Sequence, residues 1–383
     1  MSQSSHLSVL IMAKNETKRL GITLESIKKY ANSIIFLDTG STDDTIDIIK
    51  EFCKTNSIDL HLRETTFTNF EVTRNEALNF AYEHDDIDFI LLLDVNDELK
   101  GGDNLIKFIN SEHVKESTAY LLNQQWYSGT IDSYFNVRLI KTRKNWYYKG
   151  VVHEYIEQTH DNDINPKLRI DAYDNDNDTG ITIYQDRTKD DDKTGKRFHN
   201  DKILLLNEYL KNPQDARTVF YLAQTFSCLN EYEEALKYYE IRSKMGGFEE
   251  EVFISLLRVA DYYNFLNKDK WTLSMSYYLN AFAHSKRLEP LIAIIDHYKD
   301  CHQWDLAYIF TKLALDIEYP VEASLFVDKL IYDYKRYHLM GIIGYYAKKF
   351  DDGRNGCLMA INYGHNNSHN VDIDISNLKF YKN

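Results

Sequence analysis

"FILLLDVNDEL", residues 89–99, runs five apolar residues into Asp94, and after Val95 come Asn96, Asp97 and Glu98. A short, continuous apolar run that stops at polar residues reads as a buried strand, and strands buried on both faces belong to sheets covered by helices. The sequence before it has the same rhythm. "LSVLIMA" (7–13) is strand-like, and Leu20, Leu24, Ile27 and Ala31 follow at helical spacing. "SIIFLDT" (33–39) stops at "GSTDDT", where Thr42 or Asp43 can cap a helix whose buried stripe is Ile46, Ile49 and Cys53. A short strand "LHLRE" (60–64) and a helix carrying Ala77, Leu78 and Ala81 complete the approach to Phe89. Strand, helix, strand, helix at this spacing predicts a Rossmann-like α/β domain with a parallel sheet and helices packed on its faces.

In open α/β sheets ligands bind beyond the carboxyl ends of the strands, where the strand order reverses. Asn15 and Glu16 follow the first strand, Asp38 ends the second, and Asp94 to Glu98 follow a later one, so all are expected on one edge. A row of carboxylates there suits a hard divalent cation such as Mg²⁺, which takes one or two carboxylates together with substrate phosphates and water. A nucleoside diphosphate would supply the phosphates, and the ion would neutralise charge growing on the leaving group.

From about residue 156 to 200 the pattern dissolves into Asp- and Asn-rich sequence, read as a long solvated loop with a possible strand at Gly180 to Tyr184. "DNDNDTG" (174–180) is a poor calcium loop: Gly180 falls one place late and Gln185 stands where a closing Glu belongs. Beyond residue 200 the chain reads as helical. With Ala235 as the small residue of a second helix, Leu222, Ala223, Phe226, Tyr232 and Tyr239 fall where a tetratricopeptide unit needs them. Ile294, Tyr298, Trp304, Ala307 and Ala314 repeat that phase 72 residues on, leaving room for a degenerate unit through Ala260, Tyr263 and Trp271. "GIIGYYAKKFDDGRNGCLMAI" (341–361) closes the stack. The expected domains are therefore 1–200, α/β, and 201–383, all-α helical repeats whose concave surface holds an acceptor or a protein partner.

Composition narrows the function classes. The 383 residues and 43% hydrophobic content suffice for two domains with separate cores. A formal charge of −14 without a concentrated basic patch opposes binding to nucleic acid or anionic lipid. Cys53, Cys228, Cys301 and Cys357 lie far apart with no CxxC spacing, which suggests neither a disulfide framework nor a zinc site and fits a reducing cytosol. The start of the chain has no basic n-region, and no apolar run is long enough to span a membrane, so a soluble cytoplasmic protein is expected.

"LIMAKNE", "DTGSTDDT", "TRNEAL", "LLLDVNDEL" and "GVVHEYI", in that order over some 150 residues, resemble the family 2 glycosyltransferases of GT-A fold, in particular bacterial and large-virus members with C-terminal tetratricopeptide repeats. The resemblance implies transfer of a sugar from a nucleotide diphosphate donor, with UDP-sugars foremost, to an acceptor hydroxyl with inversion. It assigns donor binding to Ala13, Asn15, Glu16, Asp38, Arg74, Asn75, Asp94 and Val95: Asn15 and Asp38 would grip the nucleoside, while Arg74 and Asn75 face nucleotide and phosphate. Asp94 to Asn96 would be the DxD-type motif for Mn²⁺ or Mg²⁺, and His153 the distal ligand. Asn96 departs from the usual second aspartate, so either it ligates with Asp97 restoring the charge, or the site is weakened.

An inverting transfer needs one general base for the acceptor proton. Glu154 is the first candidate and Asp132 the second. Trp126, Tyr127 and Trp146 offer apolar faces for an acceptor sugar ring, with core packing as the alternative. A glycan or a protein is the expected acceptor. The competing reading is a helical-repeat scaffold carrying a catalytically weakened nucleotide-sugar domain.

Overall fold

The computed structural model describes residues 4–115, 117–129, 131–159, 167–170, 180–189, 193–266, 268–323, 325–366 and 369–381. The chain divides into two compact units, residues 1–197 and 198–383. The calcium-loop motif falls outside the described residues except for Gly180.

The first unit opens with β1 (Leu7–Ala13), α1 (Leu20–Ile27), β2 (Ser33–Asp38), α2 (Thr45–Asn56), β3 (Asp59–Glu64), α3 (Phe70–Tyr82) and β4 (Phe89–Leu93). It continues through β5 (Glu98–Lys100), α4 (Gly102–Ile109), β6 (Ala119–Tyr127), β7 (Ile131–Lys141), β8 (Trp146–Lys149), β9 (Tyr155–Gln158), β10 (Lys167–Arg169) and β11 (Thr182–Asp186). Among the described residues the main sheet has the order β3-β2-β1-β4-β7-β6-β11-β5, with β10 beside β6, while β8 and β9 form a separate hairpin. The pairs β3–β2, β2–β1 and β1–β4 are parallel. The sequence pattern predicts a parallel sheet, but the sheet is mixed: β7 runs antiparallel to both β4 and β6, and β5 antiparallel to β11.

Strand order reverses at β1. The chain steps from β1 outward to β2 and β3, then crosses back by α3 to place β4 on the other side of β1. One face of the sheet packs Val9, Ile11 and Leu91 against Leu20, Leu24 and Ile27 of α1 and Ile49 and Cys53 of α2. The other packs Leu10, Ile35 and Leu92 against Ala77, Leu78 and Ala81 of α3 and Trp146, Tyr148 and Ile156 of the hairpin. Each fully buried Leu or Ile contributes about 1.5–3 kcal/mol, so these two layers fix which strand ends lie together.

In the second unit α5 (Lys193–Lys211), which begins just before the boundary, leads into four helix pairs: α6 (Ala216–Cys228) with α7 (Tyr232–Arg242), α8 (Glu249–Leu266) with α9 (Trp271–His284), α10 (Leu288–Asp300) with α11 (Trp304–Leu315), and α12 (Arg336–Tyr346) with α13 (Phe350–Asn366). A short α14 (Asp372–Leu378) follows. Three of the intra-pair turns share one geometry. Asn230, His302 and Lys348 adopt left-handed backbone at φ 60°, 57° and 56°. One residue later Glu231, Gln303 and Lys349 donate their N–H groups to the carbonyls of Phe226, Tyr298 and Gly344. This closes each first helix in the manner of a Schellman cap. Ala235, Ala307 and Ala314 are fully buried small residues at helix crossings, as the repeat spacing predicts. The helical unit is tetratricopeptide-like.

Candidate active site

The carboxyl ends of β1, β2 and β4 carry the turns that build the site. After β2, Gly40 takes φ +97°, which an L side chain rarely adopts, and lets the chain fold back over Asp38. Asp38 is fully buried. Its Oδ2 accepts the N–H groups of Gly40 and Ser41 at 2.9 and 2.8 Å, whereas Oδ1 is buried without a hydrogen-bond partner among the described residues. Asn15, itself at φ +55°, braces the same turn: its Oδ1 accepts Thr42 N–H at 2.7 Å, and its own N–H donates to Ser41 Oγ. Glu16 pairs with Arg19 at 2.8 Å and its N–H donates to Thr45 Oγ1. Asn15 thus holds the loop that folds over Asp38. Neither Thr42 nor Asp43 caps the helix: the N-cap position is Asp44, without a side-chain cap, while Asp43 Oδ1 accepts both the N–H and the hydroxyl of Thr45 in the turn leading into it.

The tip of β4 closes as a tight turn. Asp97 N–H donates to the Asp94 carbonyl at 3.0 Å, and Asp94 N–H donates to Asp97 Oδ2 at 2.9 Å. Asn96 occupies the left-handed position at φ +82°, which asparagine tolerates better than most residues. Its N–H donates to Thr23 Oγ1 at 3.0 Å, and its Nδ2 to the Asp186 carbonyl at 3.3 Å. Backbone conformation and hydrogen bonding therefore both account for asparagine in place of the usual aspartate.

Asp94 and Asp97 differ sharply. The Asp94 side chain is 37% exposed and lies between two guanidinium groups: Arg74 Nη2 reaches Oδ1 at 2.5 Å, and Arg138 Nη1 reaches Oδ2 at 3.3 Å. Burial would raise the Asp94 carboxyl, but the two arginines hold it well below the usual range. The Asp97 side chain is 1% exposed, with Arg138 at 3.6 Å and Gln185 Nε2 donating to Oδ1 at 3.4 Å. Burial, opposed by Arg138 and assisted by the Asp94 charge, pushes Asp97 up to about 6. Asp97 is thus turned into the interior, contrary to the expectation that it restores charge at the metal motif. Arg138 also donates from Nε to Gln124 Oε1 at 2.9 Å, and Gln124 is fully buried.

Arg74 and Asn75 are also placed differently from their expected roles. Arg74 is 9% exposed and bridges two carboxylates, bonding Glu154 Oε1 through Nε while Nη2 holds Asp94. Its guanidinium is kept charged by Asp94 and Glu154 against the cost of burial. The amide of Asn75 is occupied by backbone: Nδ2 donates to the Tyr148 carbonyl at 2.8 Å, and Oδ1 accepts Tyr148 N–H at 2.7 Å. Asn75 fixes the hairpin that carries Glu154; it does not face a phosphate.

Of the remaining expected residues, His153 is exposed at φ +52°, and Val95 is half-buried against the α1 side of the core. Ala13 is buried at the end of β1, where its carbonyl accepts Thr39 N–H at 2.9 Å. Asp132 lies opposite Trp126 in the β6–β7 ladder, and its side chain is outside the described residues. Trp126 does not offer a bare face: the Arg187 guanidinium lies 3.3 Å from its ring centroid and Tyr134 meets it edge-on. Tyr127 is 37% exposed. Trp146 is 2% exposed and belongs to the core, so its role is packing.

Sequence reasoning missed Arg138, Arg187 and Glu71. Arg138 had a signal, a lone charge inside the apolar run "NVRLI" of β7. Among the described residues no three His, Cys, Asp or Glu side chains converge into a metal-holding group. Among the described residues no helix is long and apolar enough to cross a membrane.

Residues 8–162 match the family described as Glycosyl transferase family 2. The chain is similar to the SPbeta prophage-derived glycosyltransferase SunS of Bacillus subtilis (strain 168), at 26% identity over 243 residues, which cover 60% of this chain and 51% of SunS. The chain spans about half the length of that curated relative. Among solved structures, S. aureus TarS aligns with 71% of this chain and 55% of its own at 14% identity and a TM-score of 0.41. Its 1–349 portion in complex with UDP-GlcNAc aligns with 80% of this chain and 90% of its own, at 15% identity and a TM-score of 0.34. The C-terminal part of a TPR repeat-containing protein from Cytophaga hutchinsonii aligns with 44% of this chain and 61% of its own, at 13% identity and a TM-score of 0.35.

Proposed function

We propose that this chain, whose residues 8–162 form a family 2 glycosyltransferase domain, transfers a sugar from a nucleotide diphosphate donor to an acceptor hydroxyl with inversion at the anomeric carbon. The observation that carries the donor assignment is Asp38. A buried carboxylate oxygen without a partner is costly, and this one, unpartnered among the described residues, sits at a strand end next to the point where strand order reverses. A ribose hydroxyl or a base N–H supplies the missing donor. Asn15 keeps the loop over that oxygen in shape.

The diphosphate would lie toward Asp94, beside the guanidinium groups of Arg74 and Arg138. A divalent cation, Mn²⁺ or Mg²⁺, belongs to the proposal. Asp94, partly exposed though both its oxygens meet arginines, is the residue that would hold the ion in exchange for those contacts, with donor phosphates and water completing a set that one carboxylate can anchor. Asp97 does not suit this role because its oxygens are committed inside the turn. When bound, the ion neutralises charge on the departing diphosphate.

In the chemical step the acceptor oxygen attacks the anomeric carbon from the face opposite the diphosphate. The bond to the phosphate oxygen breaks with its electron pair leaving on the nucleotide, and the acceptor proton passes to a carboxylate. Glu154 is the proposed base: Arg74 holds Oε1, which leaves Oε2 for the proton. The tetratricopeptide-like unit would present the glycan or protein acceptor on its concave face.

The test is calorimetric titration of the full chain with UDP-glucose, UDP-N-acetylglucosamine, UDP-galactose and GDP-mannose, with and without Mn²⁺. Binding of at least one donor, weakened about tenfold or more by Asp38→Ala through loss of a charge-assisted hydrogen bond, is the expected result. Wild-type affinity in that variant would remove Asp38 from the donor site.

A further inference from the structure

Glu71 lies in the first turn of α3, one helical step before Arg74 and Asn75, so the three side chains at i, i+3 and i+4 share one face. All three hold the β8–β9 hairpin and its loop. Asn75 clamps both backbone groups of Tyr148, and Arg74 bonds the Glu154 carboxylate. Glu71 Oε2 accepts Gly150 N–H at 2.6 Å, and Phe70 N–H donates to the Val151 carbonyl at 3.4 Å.

Gly150 stands at φ +105°, and a Cβ built there would lie 3.4 Å from the Val152 carbonyl and 3.5 Å from Glu154 Cα. The loop therefore folds directly over Gly150, so the amide gripped by Glu71 lies beneath the backbone of Glu154. Asn75 fixes the strand before the loop and Arg74 fixes the carboxylate at its end. Glu71 fixes the turning point between them.

We propose that Glu71 is a positioning residue for the transfer: through Gly150 N–H it sets the place of the loop that carries His153 and Glu154. The inference rests on the reading of Glu154 as base. Glu71 touches neither donor nor acceptor. Losing it frees the loop backbone and lets the base drift relative to the acceptor oxygen, while Asp38 and Asp94 at the donor side stay where they are.

The experiment uses the full chain, with UDP release from UDP-N-acetylglucosamine and UDP-glucose in Mn²⁺ as the kinetic readout and amide hydrogen exchange over residues 148–156 as the structural one. Glu71→Ala is expected to lower kcat by about tenfold to a hundredfold, the cost of a small misplacement of a reacting group. The donor KM should stay within about twofold, because donor binding is separate. Exchange at Gly150 and the following amides should rise. Glu71→Gln keeps an acceptor oxygen and should restore most of the rate and the protection. An unchanged kcat in Glu71→Ala, or a Glu71→Gln variant no better than alanine, would overturn the assignment. If wild type releases no UDP, the glycosyltransfer reading fails on its own; exchange then decides the loop contact, and unchanged protection in Glu71→Ala overturns it.

Discussion

Asn96 occupies a backbone position that asparagine accepts readily, and its Nδ2 donates to the carbonyl of Asp186. A carboxylate cannot make that bond and would face the carbonyl oxygen instead. Asn96→Asp is therefore expected to destabilise the α/β unit by about 1–3 kcal/mol, measured by urea unfolding; equal stability would show that the amide contributes nothing. Asp97 gives a second expectation. Its folded value is raised to about 6 from an ordinary 3.8, so the folded state holds more protons than the unfolded state between those values. The contribution of this group to stability is therefore present at low pH and declines as pH rises from about 4 to 6. Asp97→Asn should remove that part of the pH dependence; an unchanged profile would mean the carboxyl is not shifted. Asp94 is a different case, because truncation takes one carboxylate partner from each of two buried guanidinium groups, leaving Arg74 with Glu154 and Arg138 with Asp97. Asp94→Ala should abolish transfer and also cost stability, by less than the ~3–5 kcal/mol of a fully buried pair because the carboxylate is partly exposed. A chemical denaturation curve identical to wild type would contradict the two arginine contacts.

At the scale of elements, the parallel half of the sheet is readable because β1, β2 and β4 are buried on both faces and appear as unbroken apolar runs. The strands β6 and β7 are not, for a physical reason. Their inward positions include Gln124 and Arg138, which bond one another and serve the site, so polar residues interrupt the alternation that would reveal a half-buried strand. A register shift between Tyr120 and Leu121 breaks the period again. Without those strands, nothing in the sequence places Arg138 beside Asp94 or makes the sheet mixed. The helix pairs are legible because their small residues recur in phase. The last pair is the tightest: a Cβ at Gly344 would lie 2.5 Å from Gly353 Cα. Gly344→Ala should force α12 and α13 apart at a cost of about 1–3 kcal/mol, seen as an earlier transition in helical circular dichroism on heating; an unshifted transition would show that the crossing is loose.

At the scale of the molecule, each unit has its own buried residues, and the site residues Asn15, Asp38, Arg74, Asp94, Arg138 and Glu154 all belong to the first. The edge on which Asn15, Glu16, Asp38 and Asp94 gather follows from the alternating pattern alone. The division of labour at that edge does not. The family resemblance implies that Arg74 and Asn75 face nucleotide and phosphate, yet folding uses them to anchor the β8–β9 hairpin. Such long-range contacts, 73 to 80 residues apart in the chain, leave no local trace. The most direct test of the central claim is a thermal unfolding series of the full chain with a panel of nucleotide sugars and Mn²⁺, run on wild type, Asp38→Ala and Asp94→Asn. A ligand that binds only the folded state adds about 2.7 kcal/mol at a hundredfold excess over Kd, so wild type should melt at higher temperature with at least one donor, and both variants should lose most of that increase. No increase with any donor, or an equal one in both variants, would contradict a nucleotide-sugar site at these strand ends.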